Sequence, residues 1–281
     1  MLPVSIFGII LALSAAFSWG SGDFVGGFAT RRNSQYSVLA LSSFSGLVMV
    51  AVAAIYWRET FPSLSSILFA MIAGVSGGFG IAALYRALSI GPSASIAPIA
   101  SVIGAALPVV FDSLTVGLPG PLKLAGFLLA FAGIWLVSAT AGSKSGSSRP
   151  GLLLAFLAGF GFAGFFIFLG LVDPRKVFTP VILARFTAMC TGLLLVRLNH
   201  QPFPSLTANP PALLAGVLDA GGNLLYLLAK QYTRLDVAVV IGSLYPAATV
   251  FLSAIILKEK VSRSQWLGVI ICLAAIVLIT I

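Results

Sequence analysis

Four polar side chains recur at helical spacing in the segment GVLDAGGNLLYLLAKQY: Asp219, Asn223, Tyr226 and Lys230 stand four, three and four residues apart. At 3.6 residues per turn they fall on one stripe of an α-helix. A carboxylate, an amide and a phenol along one face can hold a cation or a proton and orient a polar solute by hydrogen bonds. Asp23, in WGSGDFVGG, is a second carboxylate in apolar sequence and shares a helical face with Trp19, four residues earlier. Its flanking glycines allow a ligand or another backbone to come close. Tyr85, beside Arg86, and Tyr245, before Pro246, add polar aromatic groups inside apolar stretches. The candidate solute-binding residues are therefore Trp19, Asp23, Tyr85, Asp219, Asn223, Tyr226 and Tyr245.

The same inventory speaks against catalysis. His200 is the single histidine and lies in the polar loop NHQPFPSLTANP, so neither a histidine metal cluster nor a Ser-His-Asp triad can be assembled. An Asp23–Asp219 aspartyl pair is the remaining enzymatic arrangement, and neither residue sits in a catalytic motif. Cys190 and Cys272 have no metal or disulfide spacing and read as packing residues. No phosphate-binding glycine loop is present. No catalytic residue, metal or cofactor is expected.

The elements that must position these residues are membrane spans. The chain has 281 residues, 59% hydrophobic and 8% charged, with a mean hydropathy of +1.09, which matches no soluble globular class. Crossing a hydrocarbon layer of roughly 30 Å takes about 20 apolar residues. Ten such stretches run through the chain, at 4–27, 36–56, 66–90, 93–114, 120–140, 151–171, 179–197, 211–232, 236–257 and 264–281. The expected fold is an all-α integral membrane protein of ten transmembrane helices, with the lipid bilayer as its main surface partner. A charged or amide group at bilayer depth costs at least a few kcal/mol and normally faces a bundle interior, so Asp219 and Asn223 should turn away from lipid. Lys230, near a span end, reads as snorkelling to the interface. Arg86 reads as snorkelling, pairing with an aspartate or contacting a substrate carboxylate, and Asp112 as a span-end residue facing headgroups or water. MLPVSIFGII lacks the basic start of a signal peptide and reads as an uncleaved helix. The net charge of +9 is scattered over helix and loop ends, so no nucleic-acid partner is expected.

Sliding the chain against itself by 142 residues, the separation of Gly74 from Gly216, gives a register without gaps. Val75 falls on Val217, Gly80 on Gly222, Ala87 on Ala229, Ser101 on Ser243, Ala105 on Ala247 and Gly126 on Gly268. The linker TAGSKSGSSRPG stands where two halves would join. The halves are read as 1–142 and 143–281, each of five helices. An odd number of spans per half makes the second enter the membrane in the opposite sense, giving inverted repeats. Asp219, Asn223, Tyr226 and Lys230 correspond to Gly77, Ile81, Leu84 and Leu88, so the polar stripe belongs to one half alone.

Three segments, AAFSWGSGDFVGG, LYRALSIGPSASIAPIAS and GSLYPAATVFLSAIILKEKVSRSQWLGVIICLAAIVLI, resemble the EamA-type members of the drug/metabolite transporter superfamily. The resemblance covers essentially the whole chain and includes Arg185 in ILARF, Ser243, Tyr245, Pro246, Glu259 and Gly268. The first half departs from the pattern: Ser43 stands at the position equivalent to Arg185, and VGLPGPLKLAG has no glutamate. The resemblance implies a ten-helix secondary carrier of the bacterial cytoplasmic (inner) membrane, with both termini cytoplasmic. Its substrate would be a small molecule, foremost an amino acid, moved outward by alternating access as a monomer or homodimer. The charge bias of the loops leans the other way on orientation. An intramembrane carboxylate, Asp23 or Asp219, allows proton coupling, with Asp219 assigned to substrate contact and Asp23 to protonation. An organic-cation, amine or choline-like carrier is the alternative cargo, and a structural or receptor-like membrane protein the alternative without transport.

Overall fold

The computed structural model describes residues 4–30, 33–57, 59–90, 93–138, 149–207, 209–256, 258 and 261–280. All regular structure among them is helical, as expected where lipid offers no partner for backbone N–H and C=O groups. The helices are α1 (Val4–Thr30), α2 (Gln35–Trp57), α3 (Leu64–Ile90), α4 (Ser93–Thr115), α5 (Pro121–Ser138), α6 (Arg149–Gly170), α7 (Phe178–Leu198), α8 (Pro210–Lys230), α9 (Leu235–Gly242), α10 (Tyr245–Ile256) and α11 (Arg263–Thr280). Among the described residues seven stretches are long and apolar enough to cross a membrane, with Leu235–Ile256 taken as one. Ile99–Thr115, Pro121–Val137 and Arg263–Ile279 are apolar but shorter. α9 and α10 divide a single expected span at Ser243–Leu244. Pro246, just past the break, has no N–H to give the carbonyl of Gly242, which disfavours a continuous helix there. α4 stays continuous through Pro98.

The helices pair across the two halves. α1 packs on α8, α9 and α10, and α6 packs on α3 and α4; α2 packs on α7 and α5 on α11; α3 meets α7 as α2 meets α8. This pattern maps onto itself when the halves are exchanged, and individual contacts recur at the 142-residue offset. Ser45 Oγ donates to Leu213 O at 2.7 Å, and Thr187 Oγ1, 142 residues on from Ser45, donates to Met71 O, 142 before Leu213, at 3.1 Å. A Cβ at Gly126 would come within 2.8 Å of Ile279 Cγ1; one at Gly268 would come within 2.6 Å of Val137 N. Gly216 and Gly74 lie so close to Ser42 O and Ala184 O that neither has room for a methyl group. Glycine at these crossings lets backbones touch, which is how helices associate where lipid removes the hydrophobic drive.

At the end of the bundle carrying the α2–α3 and α6–α7 connections, polar side chains tie the halves together. Glu59 accepts from Val177 N at 2.7 Å and from Thr179 N and Oγ1 at 2.9 Å each, supplying the carboxylate that a helix N-terminus favours. Lys176 Nζ reaches Thr60 O at 2.8 Å and its hydroxyl, and Asp173 N donates to Ser66 Oγ at 3.1 Å. Within the second half, Lys230 Nζ approaches Val172 O at 3.4 Å. Asp112 corrects the expectation of a headgroup-facing residue: it is 3% exposed and joins Arg234 and Asp236 in a buried cluster. Arg234 Nη2 lies 3.4 Å from Asp112 and 3.0 Å from Asp236, and it also donates to Gly117 O at 2.7 Å. The cluster explains the correction, because the N-terminus of α9 brings a cation and Asp236 N against Asp112.

Candidate functional site

Toward the opposite end, where α1 finishes and α8 begins, the halves part around a cavity of about 160 Å³. Its two walls differ in character. From α1, α7 and α8 come Trp19, Asp23, Arg185, Asp219 and Asn223; from α3 and α6 come Gly77, Ile81, Leu84, Phe162, Phe165 and Phe166. The repeat makes this contrast exact in position: Asp23, Arg185, Asp219 and Asn223 correspond at the 142-residue offset to Phe165, Ser43, Gly77 and Ile81, all lining the same cavity. Repeat-related positions thus carry polar chemistry on one side of the cavity and mostly apolar surface on the other.

The polar wall is built by close helix contact. Gly222 has a hydrogen where a Cβ would sit 2.5 Å from Trp19 Cδ1, so the indole lies against α8. Trp19 Nε1 donates to Asn223 Oδ1 at 2.9 Å. Indole N–H only donates, which fixes the amide with its oxygen toward Trp19. Asn223 Nδ2 is buried and finds no partner among the described residues. Ser18 Oγ secures the same interface by donating to Leu218 O at 2.6 Å. Arg185 extends from α7 to form an ion pair with Asp219; the arginine side chain is 7% exposed and the aspartate 33%. Its Nε has no hydrogen-bond partner among the described residues, nor do the hydroxyls of Ser43 and Ser243, also on the cavity wall. Asp23 is exposed, lines the cavity and forms no ion pair among the described residues. It stands within electrostatic reach of Asp219. Tyr245 lines the wall as well, its hydroxyl 3.2 Å from Ser101 Oγ.

Trp19, Asp23, Asp219, Asn223 and Tyr245 are therefore brought together on one cavity. Tyr226 lies behind its wall: it is 0% exposed, donates to Phe166 O at 2.9 Å and packs its ring 5.4 Å from Phe166 and 5.9 Å from Trp19. With the Trp19–Phe166 contact at 5.5 Å these rings floor the cavity. The side chain of Tyr85 and all of Glu259 lie outside the described residues. Arg185 is the cavity residue that the polar stripe did not reveal. The signal for it was Asp219 itself, a carboxylate with no cation one turn away in its own helix, which requires one from elsewhere or a titrating proton.

The EamA-like transporter family matches residues 6–139 and again 149–281. The chain belongs to the EamA-like transporter family. It is accordingly a multi-pass integral membrane protein that carries small solutes, in a family of transporters and not of enzymes. Twenty-nine chains of solved structures match it. One, titled "Crystal structure of protein", aligns over 96% of this chain and 95% of its own with a TM-score of 0.75 at 16% identity, a likeness of fold. No curated protein matches the chain.

Proposed function

We propose that this EamA-like transporter is a secondary carrier of amino acids that works by alternating access and exports its substrate across a bacterial cytoplasmic membrane. The observation that carries the reading is the charged wall of Arg185, Asp219 and Asp23 facing a wall of Ile81, Phe162 and Phe165 across one cavity. Charged groups at membrane depth mark solute pathways, and an amphipathic cavity suits a solute with a charged head and a variable side chain. The ten-span, inverted-repeat reading fits the helix pairings that survive exchange of the halves and puts the cavity on the pseudo-two-fold axis.

The two ends of the bundle fit one state of such a cycle. The end bearing Glu59, Lys176, Arg234 and Asp112 is bound shut, and the aromatic floor of Trp19, Phe166 and Tyr226 closes the cavity from that direction. With both termini cytoplasmic, the bound end faces the cytoplasm and the cavity faces outward. Substrate loading from inside then requires those contacts to part while the far end closes. Asp23, on the wall without an ion pair among the described residues, suits alternate occupancy by a proton and a substrate ammonium; Asp219, Arg185 and Tyr245 set its surroundings. A monomer suffices for this site, and a homodimer is compatible with it.

A carrier of organic cations is the competing cargo. Trp19 and Tyr245 beside Asp23 suit a cation, but Arg185 on the same wall repels one. The test is a transport screen in proteoliposomes with an imposed pH gradient, using the twenty amino acids and a set of organic amines including choline. Gradient-stimulated movement of amino acids supports the proposal. Movement of amines alone replaces its cargo, and movement of neither overturns it.

A further inference from the structure

The Arg185–Asp219 ion pair lines the same cavity as three polar atoms without a hydrogen-bond partner among the described residues, namely Asn223 Nδ2 and the hydroxyls of Ser43 and Ser243, together with Arg185 Nε itself. Buried polar groups normally have partners, and four without one around a single cavity indicate where a ligand supplies them. Two of the four, Arg185 Nε and Asn223 Nδ2, can only donate. They call for an acceptor, and a guanidinium presents its donors in the geometry of a carboxylate. Beside them on the same wall Asp219 and Asp23 are acceptors, and Asp23 has no cation among the described residues. The geometry points to a zwitterion that splits the ion pair: its carboxylate takes Arg185 and Asn223, and its ammonium takes Asp219 and Asp23, with its side chain toward Ile81 and Phe165. This inference rests on the reading of the cavity as an amino-acid site and assigns both charged ends of that substrate.

The arrangement makes Arg185 a specificity determinant. An amine without a carboxylate can draw Asp219 away only by leaving a nearly buried guanidinium unpaired. An acid without an ammonium leaves Asp219 and Asp23 facing each other uncompensated. Uncompensated charge in a low-dielectric site is strongly unfavourable, so both half-substrates are rejected, whereas a zwitterion exchanges one ion pair for two. The resting Arg185–Asp219 pair keeps the empty cavity neutral at that point and is the internal competitor of every substrate.

The test is thermal stabilisation of the purified transporter by each of the twenty amino acids, followed, for every one that stabilises it, by its amide and its N-acetyl derivative. The amide keeps the ammonium and loses the carboxylate charge; the N-acetyl compound does the reverse. The parent amino acid is expected to bind roughly 10- to 100-fold more tightly than either derivative, the discrimination of a charge-assisted hydrogen bond or two. In folded Arg185→Gln the parent should weaken by a similar factor and so fall to parity with the amide; Arg185→Lys should recover part of the preference. An amide that matches its parent on the wild-type protein overturns the carboxylate site without touching amino-acid transport. An unchanged parent-to-amide ratio in Arg185→Gln overturns the role of Arg185. The wild-type comparison decides the matter even where the variant does not fold. If no amino acid is bound or transported, the functional reading fails and this inference with it.

Discussion

Neutralising one member of the Arg185–Asp219 pair should damage the fold unequally, and the asymmetry follows from exposure. Arg185 is 7% exposed and Asp219 33%, so Asp219→Asn strands a nearly buried guanidinium while Arg185→Gln strands a carboxylate that the cavity can hydrate. Breaking a fully buried pair costs about 3–5 kcal/mol. The asparagine oxygen still accepts one hydrogen bond from the guanidinium, bringing the expected loss for Asp219→Asn to about 2–3 kcal/mol. For Arg185→Gln, with solvent at the carboxylate, about 1 kcal/mol is expected. The double variant Arg185→Gln/Asp219→Asn carries neither charge and should return to within about 1 kcal/mol of the parent, a coupling of about 2 kcal/mol. Equilibrium unfolding of the four proteins in mixed detergent micelles measures the cycle. Equal losses, a larger loss for Arg185→Gln, or coupling below about 0.5 kcal/mol would show that the pair is not the buried, asymmetric contact described.

Tyr226→Phe should cost about 1 kcal/mol through loss of the hydroxyl bond to Phe166 O and leave substrate affinity unchanged, whereas Trp19→Phe, which frees Asn223 Oδ1 on the cavity wall, should alter affinity; paired melting and binding curves separate the two. Gly216→Ala and Gly74→Ala should both abolish a monodisperse protein in detergent, while Gly27→Ala, with nothing within 4 Å of its Cβ position, should be neutral. Asp173, in the α6–α7 connection, has its carboxyl held below the usual range, first by the hydrogen bond from Arg175 N. Its stabilisation is present above the unfolded pKa and fades as pH falls through the lower folded value; the melting advantage of wild type over Asp173→Asn should therefore exist at neutral pH and vanish in acid, and an advantage constant with pH would refute the assignment. Glu59→Gln weakens the contact to the start of α7, so a cysteine replacing Val172, 1% exposed, should label faster in that background; an unchanged rate would remove Glu59 from the closure.

The sequence made the membrane fold legible because lipid imposes two strong constraints, long apolar runs and the inward turn of polar groups. The helical stripe placed Asp219 and Asn223 on the cavity wall. It could not separate them from Tyr226, one turn on, because that difference depends on where Trp19 and Phe166 of other helices pack. Arg185 shares its helix only with the like-charged Arg197, and Asp112 is the single charge of its own, near a span end where a charge reads as headgroup contact. Their partners, Asp219 and Arg234, lie 34 and 122 residues away, a distance that helical periodicity does not bridge. The repeat offset bridged what periodicity did not: Ser45–Leu213 and Thr187–Met71 are one contact seen twice.

The most direct test of the account is amino-acid transport by reconstituted wild-type, Asp23→Asn and Asp219→Asn proteins of equal density and confirmed fold, measured with and without an imposed pH gradient. Wild type should transport faster with the gradient, Asp23→Asn should retain exchange but lose the response to the gradient, and Asp219→Asn should lose most transport under both conditions. Wild-type rates and pH response in both variants would contradict the account.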